Sequence, residues 1–240
     1  MKYFSHYIWE SGSEEKENLN PISVVLQQIR WRRQHYLLAC ICEGEGSNKE
    51  ACEISGYVTA HLVEWFHGQF AGSLCRIDAG ERVQKSLFKE LGKIEGELWE
   101  NGEEKTGRKT YHILGMLMCE QDFLCFARGN YKGYLFNRRF NRKQRIHLEE
   151  RFFGGRGNSW KDAGKDDKPH FVLGHLQKGV GVLLCNREFD RKLSAEEMVE
   201  VLGEDDLDEE QMKKRLKELW MENKFRGGTD YAGAVYFRIR

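Results

Sequence analysis

The sequence predicts an α+β fold in which antiparallel β-sheets carry helices packed on their outside. Two observations lead there. Strand-like apolar runs come mostly as pairs joined by short polar turns, the pattern of hairpins. Helical stripes are grouped, two after the second strand and two before the last, rather than alternating with single strands as βαβ units require.

Each element has its own signal. Residues 23–29 (SVVLQQI) and 35–42 (HYLLACIC) read as adjacent strands joined by the basic turn 30–34. Ser47-Asn48-Lys49-Glu50 fits a capping box, so a helix should begin at Ser47. Ala51, Ile54, Val58, Leu62, Trp65 and Phe66 then fall on one helical stripe. Val83, Leu87, Leu91, Ile94 and Leu98 make a second stripe, bounded by Gly80 and Gly102. Residues 110–118 and 122–127 predict a hairpin turning through 119–121, and 132–136 a further strand. Residues 154–168 are polar and aperiodic, which predicts a loop. Residues 171–176 and 181–185 are strand-like. Ser194 to Glu197 fits another capping box, opening a helix that ends near Gly203. Residues 209–220 read as a helix with Met212, Leu216, Leu219 and Trp220 inward, and residues 232–239 as a closing strand.

With 240 residues, 40% of them hydrophobic, the chain can bury a large core, and only Pro21 and Pro169 interrupt it. No Pro/Ser-rich linker divides it, so one domain over residues 1–240 is expected. Lys plus Arg and Asp plus Glu are 38 each. Net charge is therefore zero, and no global field draws the chain to nucleic acid or membrane. No apolar run approaches the roughly 20 residues that span a bilayer, and the first residues lack the apolar centre of a signal peptide. The seven cysteines are odd in number, and Cys40, Cys42, Cys119, Cys125 and Cys185 lie inside apolar runs. This predicts buried thiols in the cytoplasm. No Cys/His pair at zinc spacing accompanies Cys40 and Cys42.

The stretch 37–51, LLACICEGEGSNKEA, is an apolar run, an acidic Gly-x-Gly turn and a helix start. It places the carboxylate of Glu43 at a strand end, where it could hold a metal. The segment resembles the Asp-Gly-x-Gly-Gly motif of the metal-dependent Ser/Thr protein phosphatases (PPM-type, or type 2C), with Glu43 and Gly44 standing for Asp and Gly. Further segments are similar to that family in the same order. ENLNPIS (17–23) sits where the family has Arg-x-x-Asn-Glu/Gln-Asp-Ser, keeping Asn20 and Ser23 but placing Ile22 at the metal-binding Asp and Glu17 at the phosphate-binding Arg. GNYKGYLF (129–136) resembles Gly-Asp-Ser-Arg-x-Tyr-Leu, with Asn130 and Lys132 substituted. VLLCNREF (182–189) resembles Leu-Leu-Cys-Ser-Asp-Gly-Leu, with Arg187 at the metal-binding Asp and Glu188 at the Gly. GGTDYAGAVYFRI, at 227–239, keeps Asp230 as the terminal metal-binding Asp.

The resemblance implies a four-layer αββα sandwich, two antiparallel sheets flanked by helices. It also implies a degenerate site. The family's reaction uses two divalent cations about 3.5–4 Å apart that activate a shared water. Such hard cations require several carboxylate oxygens. The positions that would supply them are Ile22, Glu43, Arg187 and Asp230, one now apolar and one cationic. A permanent guanidinium beside a divalent cation costs several kcal/mol even at an effective dielectric of about 20. Arg187 is expected to pair with Glu43, Asp230 or both. The expected function is a pseudophosphatase: a binding or regulatory module in bacterial Ser/Thr phosphorylation signalling, with no cofactor and with a protein kinase or phosphoprotein as partner. The alternative is an active phosphatase holding Mn or Mg at Glu43, the Gly44 carbonyl and Asp230.

Three other features carry weaker chemistry. The basic run 137–145, NRRFNRKQR, offers Arg138, Arg139 and Arg142 to a phosphate or other anion. His61 and His67 share a predicted helix without metal-ligand spacing. The acidic run 204–210 lacks the spacing of a calcium loop and should favour the N-terminus of the next helix.

Overall fold

The computed structural model describes residues 3–11, 20–70, 80–100, 110–129, 131–136, 146–147, 169–203, 208–228 and 231–239. In chain order, β1 (Tyr3–Ser11), β2 (Ile22–Trp31) and β3 (Gln34–Gly44) lead into helix α1 (Asn48–Trp65). Helix α2 (Gly80–Glu100) and strands β4 (Tyr111–Cys119), β5 (Asp122–Arg128), β6 (Tyr131–Phe136) and β7 (Ile146–His147) follow. Then come β8 (His170–His175), β9 (Gly181–Asn186), a one-turn helix α3 (Arg187–Asp190), α4 (Ala195–Leu202), α5 (Glu209–Phe225) and β10 (Tyr231–Ile239). The strands make two five-stranded antiparallel sheets, ordered β1-β10-β9-β6-β7 and β2-β3-β4-β5-β8.

Three apolar cores separate four layers. Strand β3 shows why. It is buried on both faces: Leu37, Ala39 and Ile41 point into the space between the sheets, while Tyr36, Leu38, Cys40 and Cys42 point toward α1 and α2. Side chains alternate along a strand, so one continuous apolar run serves two cores. The helix stripes meet the outer face of this sheet through Ile54, Val58, Leu62, Leu87, Leu91 and Ile94. The other sheet sends Val182, Leu184, Val235 and Phe237 inward, and Leu183, Cys185 and Tyr236 outward against Met198, Met212, Leu216 and Trp220. The αββα sandwich implied by the resemblance is thus the observed architecture.

Polar contacts tie the helices down. Trp65 Nε1 donates to Ser86 Oγ at 3.0 Å and Tyr57 Oη to Glu97 at 2.5 Å, both between α1 and α2. Arg238, 2% exposed on β10, donates to the Leu202 carbonyl at 2.9 Å, placing a cation at the C-terminal end of α4. The expected box at Ser194 forms, with Ser194 and Glu197 bonded reciprocally. The acidic run contributes a second box, Asp208 with Gln211, at the start of α5.

Some expectations change. Ser47 is the N-cap of α1 but makes no side-chain cap bond, so that box does not close. Helix α1 runs on into a π-helical turn, Phe66–Phe70, which buries Phe66 and Phe70 beside Trp65. Strand β1 carried no recognised signal, and it pairs along its whole length with β10. The polar stretch 154–168 and the basic run 137–145 lie outside the described residues.

Candidate functional site

At one end of the sandwich, three neighbouring strands present a row of inward side chains. Ile22 on β2 is directly opposite Glu43 on β3, and Glu43 is opposite His112 on β4. The facing sheet contributes Tyr131, which is opposite Asn186 on β9, and the backbone of Gly233 on β10.

Ile22 closes one side of this row. It is 1% exposed and belongs to the core between the sheets. A Cβ placed on Gly233 would lie 2.7 Å from Ile22 Cγ2, so the isoleucine packs directly on the β10 backbone. Its conformation is further fixed by Asn20, whose Oδ1 accepts from Ile22 N at 2.9 Å. Gly44 has a packing reason of its own. A Cβ there would sit 2.1 Å from the Ala51 carbonyl oxygen, because α1 crosses the strand end at that point. Its N–H donates to the Pro21 carbonyl at 3.0 Å.

Asn186 organises the facing side. It is 1% exposed, and its Oδ1 accepts from Phe189 N and from Gly233 N, both at 3.1 Å. The first bond caps α3, and the second holds β10 beside β9. The Asn186 amide nitrogen is buried and turned toward Glu43 without completing a hydrogen bond. Helix α3 is clamped from outside by buried Asn223, which donates to the Glu188 carbonyl at 2.9 Å and accepts from Lys192 N at 3.1 Å. Sequence reasoning did not expect this turn. Its signal was the N-capping Asn186 beside Phe189, which is buried in the outer core.

The electrostatics centre on Glu43. Burial pushes its carboxyl above the ordinary range, His112 and the Asn186 amide pull it back, and Glu188 and Glu45 push it further up. Its neighbour Glu45 behaves oppositely, held below the ordinary range first by the Thr110 hydroxyl and, against its partial burial, by His112. His112 Nε2 lies 2.5 Å from Glu45 Oε1, and Tyr131 Oη donates to the His112 carbonyl at 3.0 Å. Sequence reasoning missed Glu45, His112 and Asn186. Only the strand register brings His112 to Glu43, since the two are far apart in the chain.

Ile22 and Glu43 therefore face each other across the ladder with Gly44 next along β3, and Arg187 starts the helix at the end of β9. Of the two partners expected for Arg187, Glu43 is not engaged, and Asp230 lies outside the described residues. The Arg187 side chain is exposed, and among the described residues no ion pair joins it to Glu43. It opens a helical turn that directs it to water, while Asn186, one residue earlier, takes the inward position. Asp230, Glu17, Arg138, Arg139 and Arg142 lie outside the described residues. A pair of divalent cations needs several carboxylates. Here one position is a buried isoleucine and another a permanent cation, leaving Glu43 as the one carboxylate at the described positions of that set. Among the described residues, these positions supply fewer carboxylates than a two-cation centre takes.

Among the described residues, no helix is long and apolar enough to cross a membrane. No protein-family model matches the sequence, and no curated protein does. Solved structures do match in fold. The chain is similar to the catalytic domain of the serine/threonine protein phosphatase PstP, solved with two manganese ions, at a TM-score of 0.69 and 16% identity, with 99% of each chain covered. It is also similar to the S. agalactiae serine/threonine phosphatase, at a TM-score of 0.73 and 11% identity over 100% of both chains. The serine/threonine phosphatase Stp1 from Staphylococcus aureus matches at a TM-score of 0.71 and 15% identity, over 100% of this chain and 96% of that one. The chain has the fold of these bacterial phosphatases.

Proposed function

We propose that this chain is a pseudophosphatase: it keeps the phosphatase scaffold and serves as a binding or regulatory module in Ser/Thr phosphorylation signalling, with a protein kinase or a phosphoprotein as partner. The observation that carries this reading is the burial of Ile22 opposite Glu43. The resemblance puts a metal-binding carboxylate at that position. Here the side chain faces the backbone of Gly233 and the core between the sheets, so the position has become packing. Arg187 adds a cation at the second altered position, and its charge is permanent.

Calorimetric titration with Mn²⁺ tests this. The parent chain should release no saturable heat, and Mn²⁺ should leave its melting temperature unchanged, because a ligand stabilises only a state that binds it. The paired variant Ile22→Asp with Arg187→Asp should gain Mn²⁺-dependent stabilisation. Saturable Mn²⁺ binding by the parent, together with hydrolysis of p-nitrophenyl phosphate that is lost in Asp230→Asn, would establish an active enzyme and sink the proposal.

A further inference from the structure

The closed end of the β2–β3 hairpin carries Arg30, Trp31, Arg32 and Arg33, all exposed. Trp31 pairs with Gln34, so Arg32 and Arg33 form a two-residue turn. Both have positive φ, +48° and +69°. That is the combination a type I′ turn requires and that Asn-Gly normally supplies. A left-handed backbone is unfavourable for a residue with an ordinary side chain. Two successive arginines therefore occupy a turn whose backbone selects against them.

A neighbouring turn shows what compensation looks like. Glu120, between β4 and β5, is the other described non-glycine residue with positive φ, at +54°. Its carboxylate accepts from the His35 N–H at 2.7 Å, so its side chain is used within the fold. Asp122 is likewise taken, by His175 at 2.8 Å. Among the described residues, no ion pair, side-chain hydrogen bond or ring contact engages Arg30, Arg32, Arg33 or Trp31. Trp31 remains 47% exposed. Alternation along β2 puts Arg30 on the face of Leu26 and Trp31 on the face of Ile29. The tip thus carries three exposed guanidiniums and one exposed indole on four successive residues.

We propose that this hairpin tip is a docking element for an acidic peptide segment of a protein partner, with carboxylates on the guanidinium forks and an apolar side chain on Trp31. Guanidinium presents a bidentate fork matched to carboxylate, and an indole is a common interface anchor. A long nucleic-acid track fits less well. The chain has zero net charge, and the nearby carboxylates of Glu120 and Asp122 would repel an extended polyphosphate. The steps from Ile22 to Trp31, at about 3.3 Å each, put the tip about 30 Å along the strand from Glu43. Docking there is independent of the cleft.

The test uses the full chain and fluorescence anisotropy. The probes are a labelled Glu-Asp-Asp-Leu-Asp-Glu-Glu peptide, its uncharged Gln-Asn-Asn-Leu-Asn-Gln-Gln analogue and a labelled decathymidylate. The acidic peptide should bind, more weakly as salt rises, and the uncharged analogue should not. Arg32→Asn with Arg33→Gly should weaken peptide binding about tenfold or more while raising the melting temperature, which separates lost binding from lost folding. Trp31→Ala should also weaken it. No peptide binding at millimolar protein, equal binding by the double variant, or tighter binding of decathymidylate than of peptide would each overturn the proposal.

Discussion

At the open end of the β2–β3 hairpin, Ile22 and Glu43 face each other across the ladder, buried or partly buried and held by Asn20, Gly233 and His112. At the closed end, Arg32 and Arg33 turn the chain in a conformation that suits neither, with their side chains in water. The first end has residues that packing selects in place of residues that chemistry would select. The second has residues that local backbone energetics disfavour, without packing to compensate. Rules of local consistency fail in opposite directions at the two ends, and such failures mark where function has constrained a sequence.

Substitutions sharpen the contrast, beginning with the largest effect. Gly44→Ala forces a methyl onto the Ala51 carbonyl and should cost about 3 kcal/mol or more. Gly56→Ala, on α1 itself and facing open space, should instead gain about 0.5–1 kcal/mol. Chemical denaturation of both separates a packing role for Gly44 from a purely metal-binding one, which would leave the metal-free stability unchanged. Next, Ile22→Ala should cost about 2–4 kcal/mol, seen as a fall of roughly 5–12 °C in melting temperature. A negligible loss would mean that Ile22 does not seal the cleft.

At the other end the sign reverses. Arg32→Asn with Arg33→Gly should gain about 1–2 kcal/mol by relieving two left-handed arginines. A loss of stability would show that the arginines contribute to the fold. The smallest effect concerns Glu43. Burial raises its carboxyl, so the folded state holds that proton more tightly than the unfolded chain. Its contribution is present below the ordinary carboxylate range and is lost as pH rises through the shifted value. Glu43→Gln should therefore raise the melting temperature at pH 7 and leave it unchanged near pH 4. An equal change at both values would put the effect in packing and not in charge.

Much of this was legible in the residues, with informative exceptions. The stripes on α1 and α2 lie on buried faces as their spacing required, because helical periodicity is set by the backbone alone. Strand β1 was not legible, since it is defined by its ladder to β10 at the far end of the chain. Ser47 had the right neighbour three residues on, yet its box stays open while the boxes at Ser194 and Asp208 close. Arg187, expected to pair with Glu43, Asp230 or both, turns away from Glu43 because a one-turn helix, capped by Asn186, exchanges which of two adjacent side chains points inward, while Asp230 lies outside the described residues.

By itself the sequence determined the layers: strands apolar on both faces must be covered on both faces, and the grouped helical stripes supply that cover. It also determined that residue 22 is apolar and residue 187 cationic, since side-chain identity needs no coordinates. Only the tertiary structure decided that Glu43 meets His112 and Asn186, that Ile22 rests on the Gly233 backbone, and that two arginines accept a turn meant for glycine. The first two are contacts set by strand register and sheet stacking between segments distant in the chain, and the turn angles are set by the pairing of β2 with β3; neither leaves a periodic trace in the sequence.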